Sequence, residues 1–259
     1  MSVGKILRLR RLLSKGRALV VRLDQALPGA ENPAVLVKTV AQSSADAVLL
    51  SPGILDQVAA DLGQLAVILR VDGCAGSVNA GVLHTFTSVP HAAELGADAI
   101  LAGATIGRET ESGELLKLGR LAEEARRWGM PLAADMLPGG AQSAEDIALA
   151  SRIGAQVGAD IILTPYSGTV ESYRRIVAGN GRPLLVTAGS SGDLTFRAVL
   201  SLVEQALSAG ADGVVCGPQA WPQGQAASAL AALAAVVHED APIEQALAVA
   251  EKRRSAVSS

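Results

Sequence analysis

Aromatic side chains are scarce in this chain, with 2 Trp, 2 Tyr and 2 Phe among 259 residues. So few rings cannot build the stacking platforms on which single-stranded nucleic acid is held. A surplus of one charge is also lacking, because 22 basic side chains face 25 acidic ones for a formal charge of −3. No cationic excess exists to bind a polyanion by counterion release. Only two cysteines occur, Cys74 and Cys216, too few and too far apart for a metal cluster or a disulfide framework. They are expected to be reduced, buried thiols of a cytoplasmic protein. The three histidines, His84, His91 and His238, do not have zinc-site spacing. No run approaches the roughly 20 apolar residues of a membrane span. The basic start (Lys5, Arg8, Arg10, Arg11) lacks the apolar stretch of a signal peptide and reads instead as an amphipathic helix, Ile6 to Leu13.

What the sequence does have is aliphatic: 49% hydrophobic residues and 27 Gly, a composition suited to one large core of Val, Ile, Leu and Ala. The informative pattern is an internal echo. Ser44-Ala45-Asp46-Ala47-Val48-Leu49-Leu50, Gly96-Ala97-Asp98-Ala99-Ile100-Leu101, Gly158-Ala159-Asp160-Ile161-Ile162-Leu163 and Gly210-Ala211-Asp212-Gly213-Val214-Val215 each read as a helix stop followed by a buried strand. The intervals are too long for one strand and one helix. Each holds another apolar run: Ala66 to Asp72, Pro131 to Met136 and Pro183 to Ala188. Ala18 to Asp24 at the front completes eight. Helical periodicity fills the gaps, as in Leu115, Leu118, Leu121, Ala122 and Ala125, then Ile147 to Val157 and Phe196 to Ala206. Strands alternating with helices pair in parallel, and eight such units predict one closed (βα)8 TIM barrel, α/β in class. A short helix over 1–16 should precede it and a helix with a tail over 242–259 should follow.

Such barrels carry their chemistry at the carboxyl ends of the strands. Asp24, Asp72 and Asp135 close the first, third and fifth runs. Apolar walls around that mouth would raise a carboxylate's pKa and suit it to general acid/base work. The same positions allow a plainer reading, because Arg22 and Arg70 lie two residues before Asp24 and Asp72, on the same strand face, and can simply pair with them. Gly189-Ser190-Ser191-Gly192 follows the seventh run and leads into a helix starting near Asp193. Its backbone N–H groups suit an anion such as phosphate. Tyr166, at the end of the sixth run, either donates a proton or packs with its hydroxyl in water; Tyr173 shares that ambiguity.

The order of motifs resembles the archaeal-type class I aldolases: fructose-bisphosphate aldolases, aminodideoxyheptulosonate synthases and the related autoinducer thiolases. The resemblance covers nearly the whole chain. It rests on Leu7-Arg8-Leu9-Arg10-Arg11-Leu12 with Gly16-Arg17-Ala18, on Leu23-Asp24, Gly96-Ala97-Asp98-Ala99 with Ile106-Gly107, Gly129-Met130-Pro131-Leu132, Gly158-Ala159-Asp160, Thr164-Pro165-Tyr166-Ser167-Gly168, Ala188-Gly189, and Trp221 after Gly217. It implies a lyase of carbohydrate metabolism, without a cofactor, assembled as a homo-oligomer. The family forms a Schiff base on a lysine of the sixth strand, and the position that resembles it here is Leu163, which has no nitrogen. The family tyrosine after the fifth strand corresponds to Leu137, the phosphate-holding arginine after the eighth to Pro218, and the histidine after the first aspartate to Gln25. The other lysines, Lys5, Lys15, Lys38, Lys117 and Lys252, fall on predicted helices or loops away from the mouth.

The expectation is therefore a repurposed barrel acting on or binding a small carbonyl or sugar compound, phosphorylated or not. Asp24, Asp72, Asp135 and Tyr166 are its candidate catalytic residues. Gly189, Ser190, Ser191, Gly217, Gln25 and Thr164 are its candidate contacts to substrate or phosphate. Mg2+ or Mn2+ on the aspartates would be one substitute for the Schiff base. Two other readings stand beside this one: an inactive binding or assembly subunit that uses the Ala-rich helix Gln225 to Val237 as a packing face, and an aldol lyase whose amine comes from elsewhere. Neither a nucleic-acid nor a membrane partner is expected.

Overall fold

The computed structural model describes residues 2–24, 32–73, 83–189 and 194–257. Eight parallel strands close into a barrel in the order β1 (Ala18–Arg22), β2 (Ala47–Leu50), β3 (Ala66–Arg70), β6 (Ala99–Ile106), β7 (Leu132–Pro138), β8 (Ile161–Pro165), β9 (Leu184–Ala188) and β10 (Gly213–Cys216), which returns to β1. They match the eight apolar runs. The two-residue strands β4 (Asp72–Gly73) and β5 (His84–Thr85) add an antiparallel ribbon above β3. Two residues carry no periodicity, so the sequence pattern does not reveal it.

Alternation along each strand separates two cores. Inward-facing Val20, Leu49, Ile68, Leu101, Ala133, Leu163, Leu185 and Val215 fill the barrel. The outward residues between them pack under the helices. Ring closure depends on Gly213, where a Cβ would sit 2.2 Å from the carbonyl oxygen of Ala18.

The echoed aspartates organise the base of the barrel. Asp46, Asp98, Asp160 and Asp212 each accept a backbone N–H from the start of the preceding strand: Leu19 at 2.8 Å, Val67 at 2.9 Å, Leu132 at 3.0 Å and Leu184 at 2.9 Å. Helix α1 (Val3–Leu12) lies across this ring. Leu9, Leu12 and Leu13 seal the interior from below, while Lys5 meets Asp160 at 2.8 Å, Arg11 meets Asp98 at 2.8 Å and Lys15 meets Asp46 at 2.9 Å. The helix begins earlier than the apolar pattern implies because the Ser2 hydroxyl caps it by accepting from the Lys5 N–H.

Around the barrel run α2 (Pro33–Ala41), α3 (Pro52–Val58), α4 (Val89–Glu94), α5 (Glu111–Arg127), α6 (Ala144–Val157), α7 (Val170–Ala178), α8 (Phe196–Ser208), α9 (Ala226–Glu239) and α10 (Ile243–Val257). Two expectations need correction. The helix after β9 starts at Phe196 rather than near Asp193, because the Thr195 hydroxyl caps it on the Ala198 N–H. The Ala-rich face of α9 is no free packing surface. Residues from Ala226 to Val237 are buried nearly throughout, under α10, α8 and α2 of the same chain. Among the described residues no helix is long and apolar enough to cross a membrane.

Candidate active site

The three aspartates converge at the barrel mouth and meet three cations there, although Asp135 stands in the middle of β7 rather than closing it, because that strand runs on to Pro138. Arg22 is the last residue of β1 and points inward. Its Nε lies 3.1 Å from Asp24 Oδ1, and its Nη2 lies 3.2 Å from Asp135 Oδ2 on β7. Arg70, the last residue of β3, donates from Nε to Asp72 Oδ1 at 2.7 Å; its Nη1 stands 3.5 Å from Asp24 and 3.7 Å from Asp135. Burial by itself would lower the Arg22 pKa, but the charges of Asp135 and Asp24 outweigh it and hold the guanidinium above its ordinary value. Gly103 gives Arg70 room to lie flat: a Cβ there would meet Arg70 Nη2 at 3.3 Å and Leu83 Cδ1 at 3.0 Å.

The third cation comes from outside the barrel, which corrects the placing of Lys117 away from the mouth. β3 and β6 stop pairing after Arg70 and Leu101. In the seam above, the Gly103 N–H donates to Asp72 Oδ2 at 2.8 Å, and Lys117 reaches over from α5. Its Nζ donates to the Gly103 carbonyl at 2.8 Å and to Asp72 Oδ2. A lysine on a helix gives no sequence signal that its four-carbon stem will bury toward a strand seam. Among the described residues the mouth therefore holds three carboxylates against Arg22, Arg70 and Lys117, and one atom is left over. Asp135 Oδ1 is buried and makes no hydrogen bond to any described residue.

The other expected site residues lie differently. Thr164 faces outward, fully buried, its hydroxyl 2.9 Å from Tyr173 Oη in the helix layer, because strand alternation turns it away when Leu163 faces in. Tyr166 also lies outside, donating to Gln205 Oε1 of α8 at 2.9 Å and stacked obliquely on Tyr173; burial raises its pKa. Gly189 follows β9 with φ +73° against Ala220, whose Cα would lie 2.6 Å from a Cβ. Gly217 packs beside Arg22 at the end of β10. Gln25, Ser190 and Ser191 lie outside the described residues, as do Cys74 and Asp193. As oxygen ligands for Mg2+ or Mn2+ the aspartates do not fit, since each already faces a fixed cation. Among the described residues no group of three or more His, Cys, Asp or Glu is arranged around an ion.

This barrel matches known proteins along most of its length. Residues 12–223 match the family model described as DeoC/LacD family aldolase. The chain belongs to the DeoC/LacD aldolases. It is 32% identical over 257 residues to the 2-amino-3,7-dideoxy-D-threo-hept-6-ulosonate synthase of Halobacterium salinarum, covering 95% of this chain and 96% of that one. A solved archaeal fructose 1,6-bisphosphate aldolase superposes with a TM-score of 0.82 at 25% identity, covering 91% of this chain and 99% of that one. A Schiff-base-forming fructose-1,6-bisphosphate aldolase superposes with a TM-score of 0.81, also at 25% identity, over 90% of this chain and 99% of that one. The DeoC/LacD barrel thus meets its relatives across the scaffold. Inside its mouth stands the ring of Arg22, Arg70, Asp24, Asp72, Asp135 and Lys117.

Proposed function

We propose that this aldolase-family barrel acts on a small oxygenated carbonyl or sugar compound at its C-terminal mouth, without a Schiff-base lysine on β8. The observation that carries the reading is the free oxygen of Asp135. Oδ2 is fixed by Arg22 and Arg70, while Oδ1 is buried and unpaired among the described residues. An unmet buried acceptor costs about 1–3 kcal/mol, which binding a proton-bearing substrate group would relieve. Asp135 in this reading takes the proton from a substrate hydroxyl or from the carbon next to its carbonyl, the step that starts aldol cleavage or enolisation. Arg22 and Arg70 supply N–H groups to the substrate's oxygens. They lie within a low-dielectric wall where such donors count most.

Next to Asp135 in register on β8 is Leu163, which is 1% exposed and part of the hydrocarbon filling of the barrel. That neighbour supports a route in which β8 contributes no amine. Solvent-deuterium exchange at the α-carbon of dihydroxyacetone phosphate, hydroxyacetone and related ketoses, followed by NMR, tests the reading. Exchange by the natural protein that Asp135→Asn abolishes is the expected result. Equal exchange by the two proteins, or none by either, would refute a proton-abstracting Asp135.

A further inference from the structure

The chain has five lysines, and their positions leave one amine for the mouth. Lys5 and Lys15 are at the base of the barrel, paired with Asp160 and Asp46. Lys38 pairs with Asp61 on the outer surface, and Lys252 is exposed on α10. Lys117 alone reaches the C-terminal end, its side chain one-tenth exposed. The register of the sheet shows where. Asp135 on β7 is paired with Gly103 on β6 and with Leu163 on β8. Lys117 bonds the Gly103 carbonyl on the side that faces Asp72, so the amine stands beyond Gly103, one strand away from Asp135, while the β8 side of Asp135 is hydrocarbon.

We propose that Lys117 is the carbonyl-reactive amine of this barrel, reached from helix α5 through the seam between β3 and β6. The inference rests on the carbonyl chemistry proposed above and supplies its electron sink. Asp72 is the proton partner, since its Oδ2 already receives a bond from Lys117 Nζ. In the step, Lys117 gives one proton to Asp72 and the freed lone pair bonds the ketone carbon. The proton on Asp72 passes to the former carbonyl oxygen. A second proton, from the nitrogen, lets that oxygen leave as water while the C=N bond forms. Ammonium and ketone become protonated imine and water, with atoms and charge balanced. Asp135 then faces the α-carbon of an imine whose positive nitrogen accepts the electron pair.

Borohydride trapping with intact-mass and peptide mass spectrometry tests this, using dihydroxyacetone phosphate, dihydroxyacetone and hydroxyacetone as probes and a Schiff-base-forming relative as control. A reduced adduct on the peptide containing Lys117 is expected. It should fall to background in Lys117→Arg, which keeps the positive charge, with circular dichroism confirming that the variant is folded. No adduct while the control is labelled, or an adduct on another lysine, would overturn the assignment. The two ideas fail separately. Deuterium exchange that depends on Asp135 but gives no adduct leaves the carbonyl reading standing and removes Lys117 from it. An adduct on Lys117 with exchange indifferent to Asp135→Asn does the reverse.

Discussion

Arg22 on β1 reaches Asp135 on β7 at 3.2 Å, a contact that crosses the barrel, because three strands separate the two on one side and three on the other. Paired charges thus occupy the space above the aliphatic interior. A pair this buried is strongly destabilising when one partner is removed and close to neutral when both are replaced.

Arg22→Met should therefore cost about 3–5 kcal/mol, because Asp24 and Asp135 lose their shared donor. Adding Asp135→Asn should restore part of that loss. Urea unfolding of the two single variants and the double variant measures the coupling. Simple additivity would mean that the two groups do not interact.

Thr164→Val separates packing from substrate contact. The change keeps the side chain's shape and leaves the buried Tyr173 hydroxyl without its 2.9 Å partner, a loss of about 1–3 kcal/mol. Since Thr164 faces the helix layer, turnover and ligand affinity should not change. A variant of unchanged stability that loses activity would place Thr164 in the site instead.

The base ring predicts opposite pH responses from two equivalent aspartates. At Asp46 burial pushes the pKa up, but bonds from His238, the Leu19 N–H and Lys15 outweigh it and hold it below the ordinary carboxylate value. Its stabilisation is present above the unfolded value near 3.9 and is lost as pH falls through the folded value. At Asp212 burial dominates over the single Leu184 N–H and raises the pKa. That contribution is present below about 3.9 and is lost as pH rises through the folded value. Asp46→Asn should lower the melting temperature at pH 7, and this penalty should persist to about pH 4 and shrink only below it. Asp212→Asn should raise it by about 2 °C at pH 7 and converge on the natural protein in acid. Differential scanning calorimetry across that range decides the signs.

Cys216 should be chemically silent. It is fully buried on the outer face of β10, and desolvation pushes its pKa up to about 12, so almost no thiolate exists at neutral pH. A Cys74→Ser variant should give no reaction with a thiol reagent when native and one equivalent when denatured. Rapid native labelling would mean that β10 opens readily.

The sequence by itself determined the barrel. The Ala-Asp echo at Asp46, Asp98, Asp160 and Asp212 marks every second strand, because each aspartate does the same local task of capping a neighbouring strand's N–H. Such short-range constraints recur along the chain and can be read from it. Strand-end position also brought Asp24 and Asp72 to the mouth, and the two-residue offset placed Arg22 and Arg70 beside them, since alternation along a strand is itself local; Asp135 reaches the same mouth from the middle of β7. Only the tertiary structure decided what these groups meet. Arg22 finds Asp135 across 113 positions of sequence, Lys117 turns its amine from α5 into the seam between β3 and β6, and α9 packs its apolar face under α10. Alternation would have assigned Thr164 to the outer face had the register of β8 been fixed. That register depends on which of two adjacent residues the closed barrel needs inside, and the closed barrel chose Leu163.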